Sequence, residues 1–247
     1  GWVFAVLWTA CVLLAVAEMF AALSGKYTPV SWPTWLALLV SIPCFLLLDE
    51  GAVIGALVAV VFFTFLLVCI IGLFRKSPRL DDMLVSVLPL LAVALPGMCL
   101  LSMVRLPINL QRTLLAITFF VPVMGDTAAY FIGVRYGKTK LIPLVSPKKT
   151  VEGAVAGLVG STLTGVAIYL VALTLGFGPP PLYHFVLLGF VGGIVGQVGD
   201  LFASIIKRHC GLKDFGSIFP GHGGMLDRLD SILFVAVYVF AYQQLVF

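Results

Sequence analysis

The feature that most limits the fold of this chain is a succession of long apolar stretches separated by short polar segments. Of its 247 residues, 61% are hydrophobic and 11% are charged, whereas roughly 25% of the residues of a soluble domain are charged. A bilayer core of ~30 Å needs about 20 helical residues for each crossing. The sequence therefore predicts an all-α, polytopic transmembrane bundle of about eight spans. The predicted spans are residues 1–23, 33–48, 51–74, 82–104, 112–134, 152–175, 182–206 and 226–246.

The basic residues fall mainly on one side of this predicted topology. The loops that follow odd-numbered spans hold 13 of the 15 lysines and arginines, and the opposite side holds only Arg105 and Arg112. The positive-inside rule then predicts that the odd loops are cytoplasmic and that both termini lie outside. A formal charge of +4 is modest, which argues against nucleic acid as a partner. The chain begins with Gly1 rather than methionine, which leaves room for a preceding N-terminal segment.

The two halves of the chain differ in where their polar residues lie. In residues 1–110 the ionisable groups are mostly at the ends of the spans, so we interpret this half as N-terminal transmembrane scaffold helices. In residues 111–247 many polar residues occupy places where apolar ones would be less costly, so we expect the catalytic region and its cytoplasmic loops there. Glu18 is the one acid within a span of the first half, and we expect it near the interface at a helix end.

Two acids lie inside predicted spans of the second half. Asp126 is in the middle of the fifth span and Asp200 is late in the seventh, within a series of glycines. A charged side chain at membrane depth costs several kcal/mol unless it faces a cavity, a cation or a partner. Both aspartates are therefore candidate functional residues, and the alternative is a buried salt bridge or a protonated acid. Two pairs of the glycines around Asp200 have the GxxxG spacing, and these glycines either serve tight helix packing alone or bring Asp200 close to a neighbouring helix.

The loop RYGKTKLIPLVSPKKTVEG joins the fifth and sixth spans and contains five cations. Its SPKKTVEG end has a helix-capping pattern, so the next helix would begin there with free backbone donors. Two interpretations of the lysines remain open. They either bind a substrate phosphate, or they attract anionic lipid headgroups.

Residues 204–231, SIIKRHCGLKDFGSIFPGHGGMLDRLDS, concentrate four cations, three carboxylates and a glycine-rich turn between two spans. On a helix Asp227 and Asp230 share one face. Two carboxylates held together repel unless a cation lies between them, and oxygen ligands without thiols favour Mg²⁺. Arg228 would pair with a substrate phosphate or another acid. His222 is either a general base, a donor to phosphate, or a structural residue.

The same segment has the elements that bind a polyphosphate. The glycines at 221, 223 and 224 leave backbone amides accessible to an anion, and Lys207, Arg208 and Lys213 add positive charge. Magnesium held by acids beside lysines and glycine amides is what a nucleoside triphosphate requires.

The pattern S-x-I-K-R-x4-K-D-x-G-x2-F-P-G-H-G-G-x2-D-R-x-D, from Ser204 through Asp230, resembles the C-terminal signature of the phosphatidate cytidylyltransferases, also called CDP-diacylglycerol synthases. The Asp126, SPKKTVEG and QVGD segments also resemble this family, so the resemblance spans roughly residues 120–231. It implies an inner-membrane enzyme that joins CTP to phosphatidic acid and releases pyrophosphate. It further implies a Mg²⁺ requirement and a homodimer. We expect one or two divalent ions, with a second ion either monovalent or divalent, and an active site that faces the cytoplasm because CTP is cytosolic.

The resemblance also directs the assignment of candidate residues. We predict Asp200, Asp227 and Asp230 as catalytic metal ligands, with Lys207 and Arg228 beside them in the catalytic set. Lys148 and Lys149 would hold the lipid headgroup or the triphosphate. The remaining predicted substrate-binding residues are Asp126, Ser204, Arg208, Lys213, Gly221, His222, Gly223 and Gly224.

Two other functions compete with this one. Another CTP-using lipid enzyme, such as a polyprenol kinase or a synthase acting on archaeal lipids, would need the same nucleotide site. A proton- or cation-coupled transporter would also place Asp126 and Asp200 inside the membrane. It would not explain the glycine turn and four cations beside Asp227 and Asp230.

Overall fold

The computed structural model describes residues 2–47, 50–221 and 223–246. These residues form mainly α-helices, joined at one place by a short antiparallel hairpin. The elements are α1 (Trp2–Ser24), α2 (Trp32–Leu47), α3 (Glu50–Leu73), α4 (Leu80–Pro89), α5 (Leu95–Ser102), α6 (Ile108–Tyr136), β1 (Lys140–Ile142), β2 (Ser146–Thr150), α7 (Val151–Thr174), α8 (Leu182–His209) and α9 (Leu226–Val246).

Among the residues that the structure describes, seven helical segments are long and apolar enough to cross a membrane, and Trp32–Pro43 is a shorter apolar helix. The prediction of an all-helical, polytopic membrane protein with about eight spans is therefore confirmed. The β1–β2 hairpin was not predicted: Ser146–Thr150, expected as loop and helix cap, forms a strand instead. Thr150 nevertheless caps α7, because its hydroxyl accepts a hydrogen bond of 3.1 Å from the amide of Gly153.

The span Leu80–Arg105 is helical throughout but not regular. Pro89 ends α4 and Pro96 lies at the start of α5, and between them Leu90–Ala94 form a π-helical turn. Proline has no N–H to donate and its ring clashes with the preceding turn, so the hydrogen-bond pattern is forced to change at this place. A 3₁₀ turn, Met103–Arg105, completes the span.

The chain forms two compact units, and each is built from two separate pieces of sequence. The first unit contains Gly1–Arg105 and His209–Leu229, and the second contains Leu106–Arg208 and Asp230–Phe247. Residues 209–229 thus belong with the N-terminal helices. The scaffold and catalytic roles assigned to residues 1–110 and 111–247 stay predictions.

The core of the first unit contains α1 and the irregular fourth span. Val16, Leu90 and Val93 are completely buried. The indole nitrogen of Trp8 donates a hydrogen bond of 2.9 Å to the carbonyl of Gly97. This bond ties α1 to the start of α5, just after the π-helical turn.

Small residues determine helix packing in the second unit. The hydroxyl of Ser161 on α7 donates to the carbonyl of Val121 on α6 at 3.0 Å. A Cβ added at Gly189 would lie 2.7 Å from the Ser161 carbonyl oxygen, and one added at Gly199 would lie 2.8 Å from the carbonyl oxygen of Asp230. The glycines of α8 therefore allow α7 and α9 to approach closely. The second approach occurs at Gly199, which lies beside Asp200 and outside the two GxxxG pairs.

Candidate active site

The second unit contains a cavity of about 610 Å³ among α6, α7, α8 and the hairpin. Such a volume is typical of a small-molecule or cofactor site. Its lining combines acids, lysines and an amide with aromatic and aliphatic side chains. The lining residues are Asp126, Ala129, Tyr130, Gly133, Val134, Gly137, Lys140, Leu141, Lys148, Lys149, Thr150, Gly153, Ala154, Gln197 and Asp200.

An ion pair lies on the wall of this cavity. The ammonium group of Lys149, on β2, donates a hydrogen bond to the carboxylate of Asp200 on α8. The two side chains are 27% and 24% exposed, so both are partly buried. Asp200 faces a cation and a cavity, and Lys149 balances its charge.

Two further predicted acids lie close to this pair. Asp126 interacts electrostatically with Asp200 and with Lys149, and Asp230 interacts with Asp200 and with Lys207. Lys207 is only 9% exposed, which is unusual for a lysine unless it has a partner. The second unit thus gathers three acids and two lysines in one place, with Lys149 on the hairpin and the other four residues on membrane-spanning helices. The Ser204 hydroxyl lies 3.5 Å from an oxygen of Asp200.

This donor set suits a hard divalent cation. Carboxylate oxygens are the ligands that Mg²⁺ prefers, and protein-bound Mg²⁺ commonly takes one or two carboxylates and completes its shell with water and substrate phosphates. Within residues 2–47, 50–221 and 223–246, no group of three or more His, Cys, Asp and Glu side chains is arranged to hold a metal. Asp200 and Asp230 would therefore suit a Mg²⁺ that takes its other ligands from water and substrate, and the described residues do not form a closed metal cage.

The first unit contains the glycine turn and Asp227. The turn is closed by a bond of 3.0 Å from the amide of Phe219 to the carbonyl of Gly223. One carboxylate oxygen of Asp227 accepts hydrogen bonds from the amides of Phe215, at 2.7 Å, and of Gly224, at 3.0 Å. The sequence predicted that amides of this turn face a substrate anion. The Gly224 amide instead faces an anion of the protein itself.

Glu18 is the residue whose environment the sequence failed to predict. It lies toward the C-terminal end of α1, and its side chain is buried at 8% exposure. Its two carboxylate oxygens accept hydrogen bonds from the amides of Met225, at 2.9 Å, and Leu226, at 2.8 Å. The sequence indicates that Glu18 is unusual, because it is an acid within an otherwise apolar span. No sequence pattern indicates that its partners are more than 200 residues away.

The predicted site residues are divided between the two units. Those in the second unit are Asp126, Lys148, Lys149, Asp200, Ser204, Lys207, Arg208 and Asp230. Those in the first unit are Lys213, Gly221, Gly223, Gly224, Asp227 and Arg228. Lys148, Arg208, Lys213 and Arg228 are exposed. His222 lies outside the described residues. The assignment of all of these to one catalytic site stays a prediction.

Comparison with known proteins identifies the family. The profile of the cytidylyltransferase family matches residues 1–246. The chain belongs to this family. The resemblance inferred from residues 204–230 is therefore confirmed.

Similar proteins of the family include three bacterial phosphatidate cytidylyltransferases. The one from Bacillus subtilis (strain 168) is 40% identical over 153 residues, which are 61% of this chain and 55% of that protein. Those from Staphylococcus haemolyticus (strain JCSC1435) and Staphylococcus aureus (strain COL) are 43% identical over 118 and 120 residues, each alignment covering 47% of this chain and 44% of the relative. The chain spans about half the length of the curated relatives it matches.

Proposed function

We propose that this protein is a phosphatidate cytidylyltransferase. It joins CTP and phosphatidic acid into CDP-diacylglycerol and pyrophosphate, at the cytoplasmic face of the inner membrane. The observation that carries the proposal is the cavity of the second unit, where a Lys149–Asp200 ion pair lies among membrane-spanning helices. Relatives named phosphatidate cytidylyltransferase, at 40% and 43% identity, support the choice of substrates.

The lining of the cavity suits an anionic lipid. Lys140, Lys148 and Lys149 contribute positive charge on the hairpin side, and Tyr130 and Val134 contribute apolar surface on α6. A phosphate headgroup would be held by the lysines through charge-assisted hydrogen bonds, while acyl chains would extend along the apolar helices. This arrangement also explains why the hairpin lysines lie against membrane spans rather than in a free loop.

The reaction requires one bond to form and one to break. A phosphate oxygen of phosphatidic acid attacks the α-phosphorus of CTP, and the bond between that phosphorus and the oxygen bridging to the β-phosphate breaks, so that pyrophosphate leaves with the electron pair. The nucleophile is already ionised at neutral pH and needs no general base. Both reactants are anions and repel each other. The main contribution of Lys149 and Lys207 to the rate is to reduce this repulsion between CTP and phosphatidic acid. Arg208, Lys213 and Arg228 would hold the phosphates of CTP.

Asp200 and Asp230 would hold Mg²⁺ in this proposal, with Asp227 as the third predicted ligand. The bound ion would neutralise phosphate charge that develops as pyrophosphate leaves. Lys149 would keep the Asp200 carboxylate oriented and charge-balanced before substrates bind. We include in the proposal a homodimer, as the family resemblance implies.

The test is an assay of product formation with each nucleotide in turn. Purified protein in detergent is incubated with phosphatidic acid, Mg²⁺ and CTP, UTP, ATP or GTP, and both pyrophosphate and lipid products are measured. CTP-selective formation of pyrophosphate and CDP-diacylglycerol is expected, with loss of both when Mg²⁺ is chelated. A lipid kinase would instead yield CDP and a phosphorylated lipid, and a transporter would yield neither; either result would replace this proposal.

A further inference from the structure

Glu18 is a buried acid that the proposed chemistry does not use. It belongs to α1, the first helix of the chain, and its hydrogen-bond partners Met225 and Leu226 are 207 and 208 residues away. A buried charge is costly unless it is paired or hydrogen-bonded. Glu18 is only 8% exposed, and the free-energy cost of burying its charge is offset by these two backbone hydrogen bonds at the start of α9.

The start of α9 supplies unpaired amide donors. The first amides of any helix have no partner within the helix, and the positive end of the helix dipole favours an anion there. Glu18 accepts from the amides of Met225 and Leu226, while Asp227 accepts from those of Phe215 and Gly224. Two carboxylates, one from each end of the chain, thus divide four amides of one segment between them.

The backbone around Glu18 is shaped to admit its carboxylate. A Cβ added at Gly216 or at Gly224 would lie 2.4 Å from a carboxylate oxygen of Glu18. Real side chains do not approach so closely, so any other residue at these positions would displace the acid. Gly216 and Gly224 therefore leave the space that the Glu18 carboxylate occupies. Its contacts with both glycines restrict the backbone on each side of the glycine turn.

We propose that Glu18 is a positioning residue for Asp227. By holding the amides of Met225 and Leu226, Glu18 fixes the turn of backbone that immediately precedes Asp227. This keeps the Asp227 carboxylate within hydrogen-bonding distance of the amides of Phe215 and Gly224. The inference rests on the proposed function only in so far as Asp227 serves the reaction; the positional effect itself is a property of the first unit.

The variant that tests this is Glu18→Gln, which keeps the size of the side chain. Its amide nitrogen is a donor and cannot accept from a backbone N–H, so one of the two hydrogen bonds is lost together with the charge. Glu18→Asp keeps the charge on a shorter side chain. Asp82→Asn is the matched control: Asp82 is a 5% exposed acid of the same unit that accepts from the amide and hydroxyl of Thr28 at 3.0 and 2.7 Å.

The first measurement is hydrogen exchange of the intact protein in detergent, resolved to single amides in residues 211–229. Loss of positioning should release all four amides, including those of Phe215 and Gly224, which donate to Asp227 and not to Glu18. Asp82→Asn should leave these four unchanged. If Glu18→Gln releases only Met225 and Leu226, Glu18 is a local helix cap and the proposal is overturned. Should Glu18→Gln not fold, the same comparison is made with Glu18→Asp.

The second measurement separates positioning from general stability. For Glu18→Gln we expect kcat to fall about 10- to 100-fold, as for residues that orient catalytic ligands, with the KM for CTP within about twofold and a higher Mg²⁺ concentration for half-maximal rate. Glu18→Asp should recover part of the kcat. Equal losses in Glu18→Gln and Asp82→Asn would overturn the proposal. If the parent protein makes no CDP-diacylglycerol, the proposed function fails, while the exchange experiment still decides the role of Glu18.

Discussion

Lys149 on the hairpin donates a hydrogen bond to the carboxylate of Asp200 on α8, which lies 51 residues further along the chain. The bond connects a strand outside the membrane-spanning helices to an acid within one of them. It thereby makes the hairpin one wall of the cavity and gives Asp200 a counter-charge. Removing either charge leaves the other unbalanced in a partly buried place, which is more damaging than the loss of an exposed pair.

Lys149→Met should therefore differ from Lys148→Met, although the two lysines are neighbours in the same strand. Lys148 is exposed, and it has no part in this ion pair. We expect Lys149→Met to lower the free energy of unfolding by about 1.5 to 3 kcal/mol, the range for a hydrogen bond to a charged group, and Lys148→Met to change it little. Thermal unfolding in detergent measures both. Equal effects would show that the ion pair does not contribute to stability.

Asp227→Asn should abolish turnover while the protein still inserts and folds. The asparagine oxygen can still accept from the amides of Phe215 and Gly224, so the turn is retained while the negative charge is lost. We expect activity to fall at least about 100-fold, as when one group that stabilises the transition state is removed. Asp227→Ala loses both hydrogen bonds and should also unfold at a lower temperature. Near-normal activity of Asp227→Asn would remove Asp227 from the predicted metal site.

The helices were predictable because each span is a long apolar run whose length is set by the bilayer. The position of Asp200 beside another helix was also predictable, since Gly199 has no side chain to hold α9 away. Hydropathy does not distinguish a strand of five residues from a loop, so the hairpin that presents Lys149 was missed. The π-helical turn between Pro89 and Pro96 depends on where each proline falls in the helix, which composition does not reveal.

The partners of the acids were less predictable than the acids themselves. Asp126, Asp200 and Asp227 could be identified from the sequence because a charge in an apolar or glycine-rich segment has a high free-energy cost. The group that compensates this cost is determined by tertiary contacts between residues far apart in the chain. Glu18 illustrates this: its sequence neighbours indicate a helix end, whereas its hydrogen bonds are made to the start of α9.

Lys207→Ala should impair substrate use. Lys207 is 9% exposed and interacts with Asp230, and in our proposal it also reduces the repulsion between the two phosphate-bearing substrates. We expect the KM for CTP or phosphatidic acid to rise about tenfold, which corresponds to about 1.4 kcal/mol of lost binding, and the unfolding free energy to fall as well, because Asp230 loses a nearby cation. Lys76→Ala, at an exposed lysine of the first unit, is the control. An unchanged steady-state profile would reduce Lys207 to an anchor for lipid headgroups.

Gly223→Ala and Gly221→Ala form a pair that isolates the contact between the glycine turn and Asp227. Both glycines have positive φ, +82° and +76°, so alanine costs about 1 to 2 kcal/mol of backbone strain at either position. A Cβ at Gly223 would lie 2.9 Å from a carboxylate oxygen of Asp227, whereas one at Gly221 would have no atom of the described residues within 4 Å, its chain neighbours apart.

Because the strain is common to both variants, the difference between them reports on the Asp227 carboxylate. We expect both variants to lower the unfolding temperature, and Gly223→Ala to lose about tenfold more activity than Gly221→Ala, since displacing a catalytic group by about 1 Å can cost that much or more. Steady-state kinetics with thermal unfolding measure the pair. If the two variants lose activity equally, the carboxylate tolerates displacement, and its hydrogen bonds to Phe215 and Gly224 serve the fold of the turn alone.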